Sequence, residues 1–227
     1  MEYPEHLALV AHGNSFEGID EESLGEALTS SRTRLAQMVE DIFTSTAIRI
    51  FSFYDILLEE RIKRGLSPGI ALEIRSFLTG WSLPGGVSLA LMGNPRKLPQ
   101  ELAGVEKMWN RPQLHPGGRG ILWFMGYGGR EEIVEAVRLS GQRDRPGNGG
   151  DGLLASNLLT AGLPDPDLLV LTGGLRLLPD FMIYQMSYSE VYLSSKPWSA
   201  FGFRDLEKAL GSYRRRERRY GRIYNPP

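Results

Sequence analysis

The chain alternates short apolar runs with segments whose apolar residues recur every three or four positions. Leu7-Ala8-Leu9-Val10-Ala11 is a continuous apolar run that ends in His12-Gly13-Asn14. It predicts a buried strand entering a loop. Leu35, Met38, Val39, Ile42 and Phe43 fall at i, i+3, i+4, i+7 and i+8, the apolar stripe of a helix. Residues 48–54 alternate and are rich in β-formers, which predicts a second strand. A helix follows over 70–78, then strands over 87–92 and 121–125. The next helix covers 131–139, with Ile133, Val134 and Val137 on its apolar side, and a short strand covers 168–171. Leu206, Ala209, Leu210 and Tyr213 mark a last helix.

Apolar strands separated by amphipathic helices predict an α/β fold, a doubly wound and mostly parallel sheet with helices on both faces. A length of 227 residues suits a single domain, 1–227. In such sheets ligands sit beyond the carboxyl ends of the strands. Three predicted strands end in glycine there: His12-Gly13-Asn14, Gly126-Tyr127-Gly128-Gly129 and Thr172-Gly173-Gly174. They are three candidate phosphate loops on one rim. A glycine after a strand is more often only a turn, so the weight lies in their number. The stretch 143–151 is full of helix and strand breakers and predicts a loop inside the domain.

Composition narrows the chemistry. There are no cysteines, which excludes disulfides, thiolate metal sites and cysteine nucleophiles. The histidines are His6, His12 and His115. A net charge of −1 gives no reason to expect a nucleic-acid partner. No apolar run is long enough to span a membrane, and the acidic start argues against a signal peptide, so a cytoplasmic location is expected. The charge is uneven, with eight basic residues against three acids between Arg204 and Arg222. The plain reading is a solvated helix end, where arginine suits the negative pole of the dipole.

Several blocks together resemble one family. From Asp167 the chain reads Asp-Leu-Leu-Val-Leu-Thr-Gly-Gly-Leu-Arg-Leu-Leu-Pro-Asp-Phe-Met-Ile-Tyr-Gln-Met-Ser-Tyr-Ser-Glu-Val-Tyr-Leu. Trp198, Phe201, Asp205, Leu206 and finally Arg219-Tyr220-Gly221 follow. The opening block 4–14 and Tyr127-Gly128-Gly129-Arg130 fit in order. The whole resembles the cis-prenyltransferases, the undecaprenyl diphosphate synthase family. The resemblance implies a doubly wound fold with an apolar tunnel, a dimer, and in catalytic relatives the magnesium-dependent extension of an allylic diphosphate by isopentenyl diphosphate.

The departures from that pattern fall on phosphate chemistry. Catalytic members open with Asp-Gly-Asn-Gly-Arg-Trp, where the aspartate holds magnesium; here those positions hold His12, Phe16 and Glu17 in place of the aspartate, arginine and tryptophan. An imidazole is a poor magnesium ligand, because magnesium prefers oxygen donors. The family's Arg-Thr-Gly-Gly-Glu-x-Arg-x-Ser has Leu171, Leu175, Leu177 and Pro179 at its arginine, glutamate, arginine and serine positions. Each lost arginine removes a charge-assisted contact of roughly 1.5–3 kcal/mol. Gly13, Asn14, Arg130, Gln185, Tyr188, Glu190, Arg219 and Gly221 remain. His12 reads either as a structural histidine or as a base, Glu190 as a metal-site remnant or an interface group, and Arg130 as a diphosphate contact or a partner of Glu131 or Glu132.

The resemblance implies substrate contacts at Arg219, Gly221, Gly13, Asn14 and Arg130. It implies a dimer interface at Tyr188, Glu190, Tyr192, Trp198 and Phe201. The pattern is similar to the Nogo-B receptor type of accessory subunit, whose degraded site is paired with a terminal Arg-x-Gly that completes its partner's site. A non-catalytic subunit of a heteromeric cis-prenyltransferase is therefore expected, with no metal bound by this chain and Mg2+ held only in the partner's site. Its partners would be a catalytically intact relative and the isopentenyl and allylic diphosphates, with a peripheral membrane contact as a second use of the basic tail. The alternatives are an active prenyltransferase with short-chain or irregular chemistry, and a prenyl- or lipid-binding protein without turnover.

Overall fold

The computed structural model describes residues 3–13, 20–102, 105, 108–109, 118–141 and 151–216. Six strands form one sheet in the order β3-β4-β2-β1-β5-β6. They are β1 (His6–Ala11), β2 (Ile50–Asp55), β3 (Val87–Met92), β4 (Arg119–Phe124), β5 (Leu168–Leu171) and β6 (Glu190–Leu193). Every neighbouring pair is parallel. All strands therefore end on one rim, as the sequence predicts.

The continuous apolar strands are those buried on both faces. In β1, Leu7, Leu9 and Ala11 face one core while Ala8 and Val10 face the other. The first core lies under α1 (Glu21–Ser45), α2 (Ile56–Arg64), α3 (Pro68–Gly80) and α6 (Phe203–Arg214). Leu35, Met38, Val39, Ile42 and Phe43 supply the α1 stripe, all buried as predicted. The second core is covered by Tyr127, Leu159, Leu163, Phe181 and Met182. α4 (Gly129–Gly141) and the short α5 (Asp151–Ala155) lie in sequence between β4 and β5. The helices start at polar caps: Asp20 accepts from Ser23 N (2.8 Å), Asp55 from Leu57 N (3.0 Å), and Ser67 from Ile70 N (3.4 Å).

Two readings need correction. α4 turns Glu132 and Ala136 inward and leaves Val134 and Val137 exposed, so its predicted apolar side faces solvent. Glu132 can be buried because it finds partners in Tyr127, Gln185 and the Leu159 amide. Trp198 and Phe201, expected at a dimer interface, are core residues. Phe201 is fully buried, Trp198 packs 5.3 Å from Phe53, and the Trp198 indole donates to Ser31 Oγ (2.9 Å). β6 and α2 carry no strong periodicity and are found only in the structure.

On the α3 side of the sheet a cavity of about 950 Å³ lies between α1 and α3, with Met38, Ile70 and Glu73 among its walls, and rings pack near the end of α3. Trp123 meets Phe53, Phe77 and Trp81 at centroid distances of 6.0, 6.0 and 6.3 Å. No described helix is long and apolar enough to cross a membrane.

Candidate functional site

The rim carries the three predicted loops, and the chain itself occupies their amides. At β1 and β5, Gly13 and Gly173 touch backbone to backbone. The His12 amide donates to Thr172 Oγ1 (2.9 Å), and the Trp198 amide donates to the His12 carbonyl (2.9 Å). The Gly173 and Gly174 amides donate to the carbonyls of Lys196 (2.6 Å) and Ser194 (2.8 Å). The crevice where strand order reverses beside β1, the usual ligand position in such sheets, is thus filled by packed backbone.

After β4 the occupants are carboxylates. Glu59 of α2 accepts from the Gly126 amide (2.8 Å) and the Tyr127 amide (3.2 Å). Gly126 takes the left-handed conformation there, with φ 62°. Such a turn of successive N–H groups is an anion-binding concavity. Burial raises the Glu59 carboxyl to about 7, against the opposing pull of the two amides. One step along, Asp180 Oδ1 accepts from the Arg130 amide (2.9 Å) and its carbonyl from Gly129 (3.0 Å), at the start of α4. The places a phosphate would take on this loop hold the chain's own carboxylates.

The predicted site residues are brought together only in part. His12 and Gly13 stand at the head of β1 beside a cavity of about 160 Å³. Its walls include Asp55, Glu60, Ser30, Ser199 and Trp198. Ser31 Oγ donates to Asp55 Oδ2 (2.6 Å), and Asp55 Oδ1 accepts the Leu57 and Leu58 amides (3.0 and 3.3 Å). Burial raises the Asp55 carboxyl, opposed by Ser31, the two amides and the charge of Arg32. His12 Nδ1 is buried without a hydrogen-bond partner among the described residues. The Arg130 side chain is exposed, while Glu131 pairs with Lys97 and Glu132 turns inward, so neither acid is its partner. Asn14, Arg219 and Gly221 lie outside the described residues.

Magnesium, implied for catalytic relatives, needs a set of oxygen donors. His12 presents nitrogen, and both Asp55 oxygens already accept from Ser31 and the α2 amides. Among the described residues, the donor set at this rim does not fit the ion.

At the far edge of the sheet, Glu190 pairs with Arg216, which also donates to the Val191 carbonyl (3.2 Å). Tyr188 is 69% exposed and Leu193 58%, whereas Tyr192 packs half-buried against the first core. Leu177 and Leu178 add further exposed apolar surface in the segment before β6.

Gln185 donates to Glu132 Oε2 (3.1 Å) and Thr160 Oγ1 (3.0 Å), and the Tyr127 hydroxyl donates to Glu132 (2.5 Å). Of the residues shared with the family pattern, Gly13, Gly173, Tyr127 and Gln185 hold the scaffold, while the side chains of Arg130 and Tyr188 are exposed. The prenyltransferase family model, described as undecaprenyl diphosphate synthase, matches residues 78–221. The chain belongs to the undecaprenyl diphosphate synthase family. The match starts after the His12 loop, the first of the departures.

Two curated relatives agree. An isoprenyl transferase of Thermus thermophilus is 39% identical over 133 residues, covering 55% of this chain and 50% of that protein. One of Streptomyces fradiae is 40% identical over 113 residues, covering 46% and 44%. The chain spans about half the length of these relatives. Among solved structures, lavandulyl diphosphate synthase from Lavandula x intermedia, in complex with dimethylallyl diphosphate, superposes with a TM-score of 0.78 at 22% identity. It covers 97% of this chain and 99% of that one. A probable undecaprenyl diphosphate synthase from Campylobacter jejuni superposes with a TM-score of 0.61 at 24% identity, over 98% and 100%. These likenesses establish the family fold.

Glu59, Asp55, Ser31 and Asp180 were not singled out by sequence. Asp55 had a signal, an aspartate at a strand end before an apolar helix start. Glu59 and Asp180 had none, since each acts on an amide more than 49 residues away.

Proposed function

We propose that this chain is a non-catalytic subunit of a heteromeric cis-prenyltransferase of the Nogo-B receptor type. In that role its tail, through Arg219 and Gly221, completes the diphosphate site of a catalytically intact relative that binds Mg2+ and joins isopentenyl to allylic diphosphate. The observation that carries the reading is the self-occupied rim. Glu59, Asp180 and the carbonyls of Ser194 and Lys196 hold the amides that could meet a diphosphate. The adjoining cavity presents Asp55 and Glu60, with no lysine or arginine among its described walls. A diphosphate there would meet like charge, which is unfavourable in a confined site. The exposed Tyr188, Leu177 and Leu193 suit the surface that a partner would cover.

The test is assembly with an intact relative followed by steady-state kinetics. Arg219→Ala should leave the complex intact and lower its kcat/KM for isopentenyl diphosphate about 10- to 150-fold. Unchanged kinetics removes the role of the tail in trans.

A second reading is an active enzyme with irregular, short-chain coupling. The near-complete superposition on lavandulyl diphosphate synthase and the small cavity favour it. Turnover of dimethylallyl diphosphate by the isolated chain would establish it.

A further inference from the structure

We infer that Glu190 is a positioning residue for the basic tail: it fixes the root of the tail to the open edge of the sheet, beside the exposed apolar residues that a partner would cover. The inference rests on the tail acting in trans and names the residue that aims it.

β6 is the last strand of the sheet, so one of its sides has no strand beside it among the described residues. The Glu190 and Ser194 amides donate to the carbonyls of Asp167 and Leu171 (2.9 and 2.8 Å), toward β5. Alternation along the strand turns the Val191 and Leu193 backbone groups to the open side. Arg216, two residues beyond the end of α6, meets that side. Its Nη1 donates to the Val191 carbonyl (3.2 Å) and to Glu190 Oε2. The carboxylate and the strand carbonyl thus hold one guanidinium nitrogen between them. Arg214, one turn of chain earlier, lies over the Tyr3 ring instead (5.5 Å).

Arg216 stands three residues before Arg219 and five before Gly221. A chain spans at most about 3.6 Å per residue, so the Arg219 Cα stays within about 11 Å of the Arg216 Cα. The exposed Tyr188 and Leu193 flank the anchor, two residues before Glu190 and two after Val191. A partner that covers them comes within reach of a tail rooted at Arg216. An arginine over an open strand edge can also serve only to guard against stray pairing. The two roles predict different measurements.

The chain has no cysteine, so Arg218→Cys carries a single nitroxide two residues beyond the anchor. In the isolated full chain the label should be restricted, and Glu190→Gln should free it while thermal unfolding stays cooperative. Equal mobility with and without the Glu190 carboxylate overturns the inference. In the complex with an intact relative, Glu190→Gln should raise KM for isopentenyl diphosphate about three- to fivefold with kcat little changed, the size a partly exposed ion pair supports. Exchanging the pair, Glu190→Arg with Arg216→Glu, should recover most of that KM. An unchanged KM overturns the inference, as does a loss that the exchange does not recover. Greater self-association of Glu190→Gln with an unchanged KM assigns Arg216 to edge protection instead. Arg219→Ala in the same assay keeps the two readings apart. If it lowers kcat/KM and Glu190→Gln does not, the tail acts in trans without this anchor. If Arg219→Ala changes nothing, the role in trans is what fails, and the nitroxide alone decides the anchor.

Discussion

Gly13 and Gly173 meet so closely that neither position has room for a side chain. A Cβ on Gly13 would lie 2.6 Å from the Gly173 Cα, and one on Gly173 would lie 2.5 Å from the Gly13 Cα. The contact joins the heads of β1 and β5 and closes the crevice between them.

Gly173→Ala should therefore destabilise the fold by about 3 kcal/mol or more, combining a left-handed φ of 71° with backbone overlap. Gly174→Ala has a similar φ of 69° but open space, and should cost only about 1–2 kcal/mol. Urea unfolding of both variants checks the difference. Equal losses would mean that the close approach contributes nothing.

Trp198 and Tyr188 separate core from interface. Trp198→Ala should cost about 3–5 kcal/mol, because the indole is buried against Phe53 and bonded to Ser31. Tyr188→Ala, at a 69% exposed position, should change stability by less than about 0.5 kcal/mol yet weaken assembly with a partner. Thermal melts paired with sedimentation of the complex would show whether the two effects divide in this way.

His12→Asp should not give the isolated chain metal-dependent prenyl transfer. The new carboxylate would restore one ligand, while Glu59 and Asp180 would still hold the β4 loop and Leu171 would remain buried in the second core. Turnover in a radiolabelled isopentenyl diphosphate assay would contradict this account of the rim.

Two buried groups give opposite pH dependences. His6 is fully buried between the Pro164 carbonyl and Ser52 Oγ, and burial lowers it to about 4. The unfolded chain binds that proton first, so the stability His6 confers is present above about 6.5 and is lost as pH falls toward 4. Glu59 is raised to about 7, so its contribution is largest below its ordinary range and is lost as pH rises through 7. Between about 4.5 and 6.5 the two slopes oppose, each limited to about 1.4 kcal/mol per pH unit. Glu59→Gln should uncover the His6 slope, giving a steeper loss on acidification. Parallel urea midpoints for wild type and variant across this range would show that Glu59 does not titrate as described.

Periodicity and runs of apolar residues determined most of the architecture. Strands buried on both faces must be continuously apolar, so β1, β4 and β5 were legible, and the stripe of α1 marked its buried face. The missing phosphate donors at Phe16, Leu171, Leu177 and Pro179 were equally plain, because an arginine's absence needs no geometry. Only the tertiary structure decided which polar groups went inside. Glu59 and Glu60 are neighbours of one type, yet Glu59 is 1% exposed and holds two amides of a distant loop, while Glu60 faces solvent. Trp198 and Phe201 read alike as core or interface, since the hydrophobic effect has no direction and does not distinguish burial by the same chain from burial by another. Backbone amides at the strand ends carry no mark in the sequence of what will pair with them. Their partners come from segments brought near only by folding, and those partners turned three expected phosphate loops into packed joints.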